Sequence, residues 1–291
     1  MSVADWFSTF CDEIRISSDN VETIRSRYHQ ITKRINLEYY STSSETAYSL
    51  YIGSYGRDTE IFTSDIDMLV QLPYETYAKF NSYSSNGQSA LIQEVKNALS
   101  KTYSVTNLKG DGQIISLPFQ DGINFEVLPT FINKDGSYTY PNSNNGGSWK
   151  TTDPKAEISA IKEMNDKCNN NLKPLCRMMR AWKNKCDVSI SGILIDILAY
   201  HFISTWGERD KSFLYYDWLS RDFFKYLSEQ DAKQTLWQAM GSGRYIYHSG
   251  SFVSRAKTAY ELAVEATEKS SDYPTTAKSK WRQIYGSKFP L

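Results

Sequence analysis

Histidine is scarce: the 291 residues hold three, at positions 29, 201 and 248, with neither triad nor metal-pair spacing, so they read as packing or surface residues. Four cysteines, at 11, 168, 176 and 186, stand far apart with no CxxC unit, which argues against a zinc ribbon and for free thiols in a reducing compartment. Charge excess is missing as well, because Lys+Arg and Asp+Glu both total 33. A protein that coats nucleic acid needs a surplus of cations, so that class is disfavoured, while a local basic pocket stays open. No apolar run is long enough to span a bilayer: Gly192 to Ile203 is about 12 residues and contains Asp196, which reads as a core helix. The start, MSVADWFSTFCDEIR, is acidic and amphipathic and lacks the basic and apolar regions of a signal peptide. A cytoplasmic protein without a membrane role is expected.

What is present is ordinary for a globular enzyme, with 40% hydrophobic and 23% charged residues. Aromatics reach 14%, including 21 tyrosines, so rings are plentiful for packing or for stacking on bases.

Apolar residues recur at helical spacing over 3–40, broken at Ser17-Ser18-Asp19-Asn20, where Ser18 or Asp19 would cap a second helix from Val21 to Tyr40. Two β-like runs follow, Tyr48 to Ile52 and Ile66 to Leu72, then a helical pattern from Ala90 to Ser100. Tyr103 to Asn107, Ile114 to Phe119 and Asn124 to Leu128 read as strands, with Asp111-Gly112 and Asp121-Gly122 as turn signals. Residues 133–153 turn to Asn, Ser, Gly, Lys and Tyr and read as a long loop. Pro154 begins a helix through Lys167; 174–185 and 191–206 read as buried helices, and the remainder as helical with Gly-rich breaks at 241–243 and 249–250. The pattern predicts an α+β fold: a catalytic lobe at 1–153 with a mixed sheet and N-terminal helices, then a helical lobe at 154–291.

The chemistry concentrates in one constellation. Ile52-Gly53-Ser54 is followed, after ten residues, by Asp65-Ile66-Asp67-Met68-Leu69-Val70. Gly53 allows close approach of backbone to a phosphate, and Ser54 adds a hydroxyl donor. Asp65 and Asp67 lie two apart on a strand, so both side chains leave one face. Paired carboxylates beside a phosphate-binding turn are hard oxygen ligands suited to Mg²⁺ or Mn²⁺. Glu126, within Ile123-Asn124-Phe125-Glu126-Val127-Leu128, supplies a third acid in a core-like strand, where an unpaired carboxylate is costly. Singly, a Gly-Ser pair is noise, an Asp-x-Asp is more often a solvated edge, and Glu126 could pair with Lys or Arg. Jointly they predict a two-ion nucleotidyltransferase site.

At these residues the chain resembles the nucleotidyltransferase superfamily of DNA polymerase β, poly(A) polymerases and oligoadenylate synthetases. It is more closely similar to the cGAS/DncV-like nucleotidyltransferases (CD-NTases) of bacterial anti-phage signalling. GSYGRDTEIFTSDIDMLV, INFEVLPTF, LKPLCRMMRAWK and SISGILIDILAYHFI carry the likeness over roughly residues 1–206. The resemblance implies a polymerase-β-like lobe in which Asp65, Asp67 and Glu126 hold the metals. Many relatives have Asp at the third position, and Glu126 is one methylene longer. It also implies a basic contact to the donor triphosphate from the helix holding Arg177, Arg180 and Lys183; a solvated basic face is the plainer reading of those residues. Ser191 matches a phosphate-contacting serine and equally fits a helix N-cap. Asp196 reads as a structural acid paired to a nearby Arg or Lys.

The expected reaction is attack of a ribose hydroxyl on the α-phosphate of a nucleoside triphosphate, with release of pyrophosphate. The donor triphosphate is expected to lie between Gly53-Ser54 and the cations of the 173–183 helix. The resemblance adds ring closure to a cyclic di- or trinucleotide second messenger, a downstream effector that answers to it, and a regulatory protein or phage-derived activator. Animal relatives sense DNA through a zinc-bearing insertion, and this sequence lacks its cysteine-histidine cluster. The rival readings are an RNA-tailing or protein- or small-molecule-modifying nucleotidyltransferase, and a catalytically silent nucleotide sensor. The first would call for a basic groove, and the last has no need of three clustered acids.

Overall fold

Serine opens both N-terminal helices of the computed structural model, which describes residues 2–61, 65–104 and 106–291. Ser2 caps α1 (Val3–Glu13) in a reciprocal capping box with Asp5, and the Ser17 hydroxyl accepts from Asn20 N to start α2 (Ser18–Tyr39). The cap therefore falls one residue before the expected Ser18 and two before Asp19. The order continues β1 (Ser49–Tyr51), α3 (Gly53–Arg57), β2 (Ile66–Gln71), α4 (Tyr74–Asn81), α5 (Gly87–Ser100), β3 (Lys109–Asp111), β4 (Ile114–Leu117) and β5 (Phe125–Ile132). Then come β6 (Tyr138–Asn142), β7 (Ser148–Thr152), α6 (Pro154–Lys167), α7 (Leu172–Lys185), α8 (Gly192–Thr205) and α9 (Tyr216–Ser228). A hairpin of β8 (Leu236–Gln238) and β9 (Tyr245–Tyr247) precedes α10 (Val253–Lys269) and α11 (Pro274–Tyr285). The α+β class is as expected. Among the described residues no helix is long and apolar enough to cross a membrane.

The chain divides into two compact units, and the division is not a single cut at 153. One unit comprises Ile16–Gly56 and Thr63–Ala156; the other comprises Met1–Arg15, Arg57–Phe62 and Glu157–Leu291. Thr63 and Ser64 of the carboxylate motif lie outside the described residues.

The first unit is built on a seven-stranded mixed sheet in the order β1-β2-β5-β4-β3, with β6 pairing both β5 and β7. β2 and β5 run parallel, and β1 and β4 flank them antiparallel. Ile24, Tyr28, Ile31 and Ile35 recur at helical spacing on α2, and Leu91, Ile92, Val95 and Leu99 on α5. They share a core with Ile66, Met68 and Val70 of β2 and Phe125 and Val127 of β5. Leu69 and Leu128 point to the opposite face, against Tyr138. The period of two thus sends Asp67 and Glu126 to the face of Leu69 and Leu128, away from the larger core.

Two expected elements differ here. The stretch 133–153 is not a loop, because Tyr138–Asn142 and Ser148–Thr152 pair as a hairpin. Its strand-forming Tyr, Thr and Trp residues are hidden in the sequence by the Asn- and Gly-rich turn between them. The expected strand at 103–107 is absent from its described residues, Val105 lying outside them; the edge strand is Lys109–Asp111, paired to β4 across the Asp111-Gly112 turn.

The second unit is largely helical around a core that includes Trp182, Phe223, Phe224 and Trp281. α1 belongs to it because Phe7 and Phe10 pack among the last aromatic residues: Phe7 lies 5.0 Å from Trp281 and 5.2 Å from Phe289, and Phe10 lies 4.7 Å from Tyr285. α8 is apolar on nearly all sides and is buried accordingly. The expectation of an all-helical C-terminal part fails at the β8–β9 hairpin. There Leu236-Trp237-Gln238 and Tyr245-Ile246-Tyr247 alternate exposed and buried, joined through Gly241 and Gly243, both at positive φ.

Candidate active site

Register gathers the acids. In the parallel β2–β5 pair, Asp67 stands directly opposite Glu126, and Ile66 opposite Phe125. Neighbouring strands lie about 4.8 Å apart, so the two carboxylates leave one face as neighbours. Asp65 precedes β2, and its Oδ1 accepts from Asn124 Nδ2 at 3.1 Å. Asn124 is itself fixed, since its Oδ1 accepts from Phe119 N at 3.0 Å and its carbonyl accepts from Ile66 N at 3.0 Å.

The electrostatics follow. Burial pushes the Glu126 carboxyl above its ordinary pKa, the Asp65 charge adds to the rise, and a hydrogen bond shared with the Asp67 side chain offsets part of it. Asp111 is a further like charge acting on Glu126. Collecting negative charge in this way is unfavourable unless a cation neutralises it.

Gly53 closes the site from the side of β1. Its φ is +61°, in the left-handed region, and a Cβ added to it would lie 1.9 Å from Asp67 Oδ2 and 2.7 Å from Asp67 Cγ. Ile52 N donates to Asp67 O at 2.9 Å, so the turn and the acid are bound through backbone as well. Only glycine fits this approach and this φ together. Ser54 follows at the head of α3.

The residues suit a hard divalent cation: all three donors are carboxylate oxygens, Asp67 and Glu126 half-buried and Asp65 exposed beside them. Among the described residues, no three of His, Cys, Asp and Glu already converge as a closed chelate. Asp67 and Glu126 share a face and a register, Asp65 directly precedes β2, and a cation would supply the charge that draws the three in.

In the helical unit, the basic residues of α7 are heavily engaged. Arg180 is 5% exposed; it donates from Nη1 to Asp196 Oδ1 at 2.6 Å and from Nη2 to Asp196 Oδ2 at 2.9 Å, and it also reaches the Gly192 and Cys176 carbonyls. Asp196 also accepts from Arg57 Nε at 2.9 Å and from Thr59 Oγ1 at 3.0 Å. Burial alone would raise the Asp196 pKa, but the charges of Arg180 and Arg57 outweigh it and hold it below the ordinary value. Asp196 is thus the structural acid its surroundings suggested. Arg177 is buried and donates to Asp58, both to the carbonyl at 2.7 Å and to the carboxylate, which Lys173 also pairs at 3.0 Å. Lys183 is half-buried, and burial followed by the Arg180 charge lowers its pKa. Ser191 caps α8, accepting from Leu194 N at 3.3 Å.

The structure therefore brings Gly53, Asp65, Asp67 and Glu126 together within the sheet unit. Arg177, Arg180, Lys183 and Ser191 belong to the helical unit and cluster around α7 and the start of α8. Sequence reasoning missed Asn124, whose only signal is an amide directly before an apolar strand. It also missed Asp58, a non-glycine residue at φ +57° with two cationic partners.

Known proteins resemble this chain to different depths. A Bacillus cereus (strain VD146) protein named as a probable cyclic nucleotide synthase is 26% identical over 109 residues. That stretch is 35% of this chain and 31% of the relative, so the chain matches about a third of the relative's length. The structure of E. coli MS115-1 CdnC with ATP superposes with a TM-score of 0.74 at 13% identity, covering 99% of this chain and 98% of CdnC. CdnC has also been solved in complex with HORMA-deltaN. Vibrio cholerae DncV cyclic AMP-GMP synthase, solved with the linear intermediate 5′ pppA(3′,5′)pG, gives 0.67 at 15% identity, covering 84% of this chain and 70% of DncV. At these identities the likeness to CdnC and DncV shows the fold. Residues 1–165 match a defined family, and the chain belongs to it: the Second Messenger Oligonucleotide or Dinucleotide Synthetase domain family.

Proposed function

We propose that this chain is a template-independent nucleotidyltransferase that joins nucleoside triphosphates and closes the product into a cyclic di- or trinucleotide messenger of anti-phage defence. The observation that carries the reading is the Asp67–Glu126 register beside Asp65, with Gly53 pressed against Asp67. A structural sheet gains nothing from two half-buried acids facing each other across interior strands with a third beside them.

Asp65, Asp67 and Glu126 would hold Mg²⁺ or Mn²⁺. Bound there, the cation lowers the pKa of an acceptor ribose hydroxyl and neutralises charge on the departing pyrophosphate. The Gly53-Ser54 turn offers a backbone N–H and a hydroxyl to donor phosphate oxygens. Asn124 fixes the Asp65 carboxylate, and Gly53 leaves Asp67 room to lie against the backbone. The hydroxyl oxygen attacks the α-phosphorus in line, its proton leaves, and the bond to pyrophosphate breaks. The same attack within a linear product, by its free ribose hydroxyl on its own 5′ α-phosphate, closes the ring.

For the helical unit, the geometry supports Lys183 as the α7 cation most able to meet a triphosphate. Arg180 and Arg177 are committed to Asp196 and Asp58 and act chiefly by holding α7 in place. Ser191 can donate its hydroxyl proton while its oxygen caps α8. A regulatory protein partner, as CdnC has in HORMA-deltaN, belongs to the same proposal, as does a downstream effector that reads the product in the cytoplasm.

The test is incubation of purified protein with the four labelled nucleoside triphosphates, singly and mixed, with Mg²⁺ or Mn²⁺. Phosphatase-resistant products that need metal and vanish in Asp65→Asn/Asp67→Asn protein are expected. Products that all remain phosphatase-sensitive, or that appear only when RNA or protein acceptors are added, would overturn the cyclisation reading.

A further inference from the structure

The last turn of α7 and one face of α11 enclose a second basic site, within the helical unit. A groove of about 460 Å³ is lined by Lys185, Thr275, Lys278, Ser279, Arg282, Gln283 and Leu291. The five α11 residues fall at helical spacing, so they form one stripe of cations, hydroxyls and an amide. No carboxylate side chain lines the groove. Among the described residues, none of the three cations is ion-paired to Asp or Glu. Lys278 is met by an oxygen of the last residue, Leu291, so Lys185 and Arg282 are the cations that face the groove without an acidic partner; they repel one another, and an anion relieves that repulsion.

Their present hydrogen bonds explain only part of them. Lys278 Nζ donates to Leu291 O at 2.6 Å and lies 5.1 Å from the centre of the Trp6 ring. Arg282 Nη1 donates to Phe289 O at 3.2 Å. These bonds fold the segment after Gly286 back along α11, and a Cβ at Gly286 would lie 3.4 Å from Lys185 Cδ. A lysine has three donors and a guanidinium five, so most of the donating capacity of Lys278 and Arg282 is unspent, and Lys185 adds its own. Cationic donors flanked by hydroxyls are the donor set that phosphate oxygens take.

We propose that this groove binds an oligophosphate anion, either a bare phosphate chain or that of a nucleotide, at a site separate from the carboxylate centre. Lys278 and Arg282 sit about 6 Å apart along the helix axis, which suits successive phosphoryl groups better than a single one.

The test uses the full chain carrying Asp65→Asn/Asp67→Asn, without divalent metal, so that it does not depend on the catalytic reading. Lysine acylation is followed by mass spectrometry while inorganic tripolyphosphate is titrated in. Lys185 and Lys278 should become several-fold less reactive, with Lys225 and Lys257 unchanged and half-saturation weakening as salt is raised. Arg282→Glu and the milder Arg282→Gln should both reduce the protection while the melting curve stays cooperative. A parallel ATP titration identifies the occupant: ATP acting at lower concentration supports a nucleotide, and equal potency supports a phosphate chain alone. Unchanged reactivity of Lys185 and Lys278 at millimolar tripolyphosphate, or protection that survives both Arg282 variants, would overturn the proposal.

Discussion

Gly53 and Asp67 lie so close that a single methyl on the glycine would fall 1.9 Å from the carboxylate Oδ2. Gly53→Ala therefore meets two penalties, a clash with a proposed metal ligand and a left-handed φ that costs a non-glycine residue about 1–3 kcal/mol. The clash is the more damaging to chemistry, because it can be relieved only by moving Asp67 or the turn. Nucleotide incorporation should fall by at least about 100-fold, the size of effect that misplacing a catalytic group by about 1 Å produces. A thermal melt should still show a cooperative transition lowered by several degrees. Near-normal turnover in Gly53→Ala would mean that Asp67 does not work from this position.

Glu126 is held above its ordinary pKa by burial and by the Asp65 charge. Removing its negative charge relieves that repulsion, so Glu126→Gln is expected to stabilise the metal-free protein while abolishing product. The rise should be on the order of 2–4 °C for each kcal/mol relieved. Adding Mg²⁺ should then raise the melting temperature of the unsubstituted protein and leave the variant nearly unmoved. A variant that melts lower without metal would show that Glu126 has a structural partner instead.

These acids were legible because each half of the pattern follows a simple period. Asp65 and Asp67 are two apart, Glu126 sits among alternating apolar residues, and the parallel β2–β5 register is what unites them. No property of either segment alone announces that register. The β6–β7 hairpin was hidden because its polar turn outweighs its strand-forming residues, and the β8–β9 hairpin because each strand is only three residues long. The place of α1 was hidden for another reason: its apolar face predicts burial but does not say that the partners lie near residue 285.

Asp196 offers a test of the pH dependence of the helical unit. Burial disfavours its charge, but Arg180 and Arg57 hold its folded pKa below the unfolded value of 3.8. A depressed carboxylate pKa contributes stability that is present above the unfolded value and is lost as pH falls through the folded one. Denaturant titrations should therefore show a loss below about pH 4 that is absent in Asp196→Asn. At neutral pH the variant should itself be less stable by about 3–5 kcal/mol, because buried Arg180 loses its acid and buried Arg57 keeps only Glu157. Equal acid sensitivity in both proteins would assign the loss to other carboxylates.

Phe7 meets Trp281 edge to face, with ring centres 5.0 Å apart and planes at 80°. Both rings are fully buried, so truncating either should cost about 3–5 kcal/mol through lost burial and a residual cavity. That figure alone would not tell a shared core from two separate ones. A double-mutant cycle of Phe7→Ala and Trp281→Ala does, because residues in contact couple whereas distant ones add. An aromatic pair of this geometry should give a coupling of about 0.5–1.5 kcal/mol in urea denaturation. Strict additivity would mean that α1 folds independently of the final helix, and the assignment of residues 1–15 to the helical unit would fall with it.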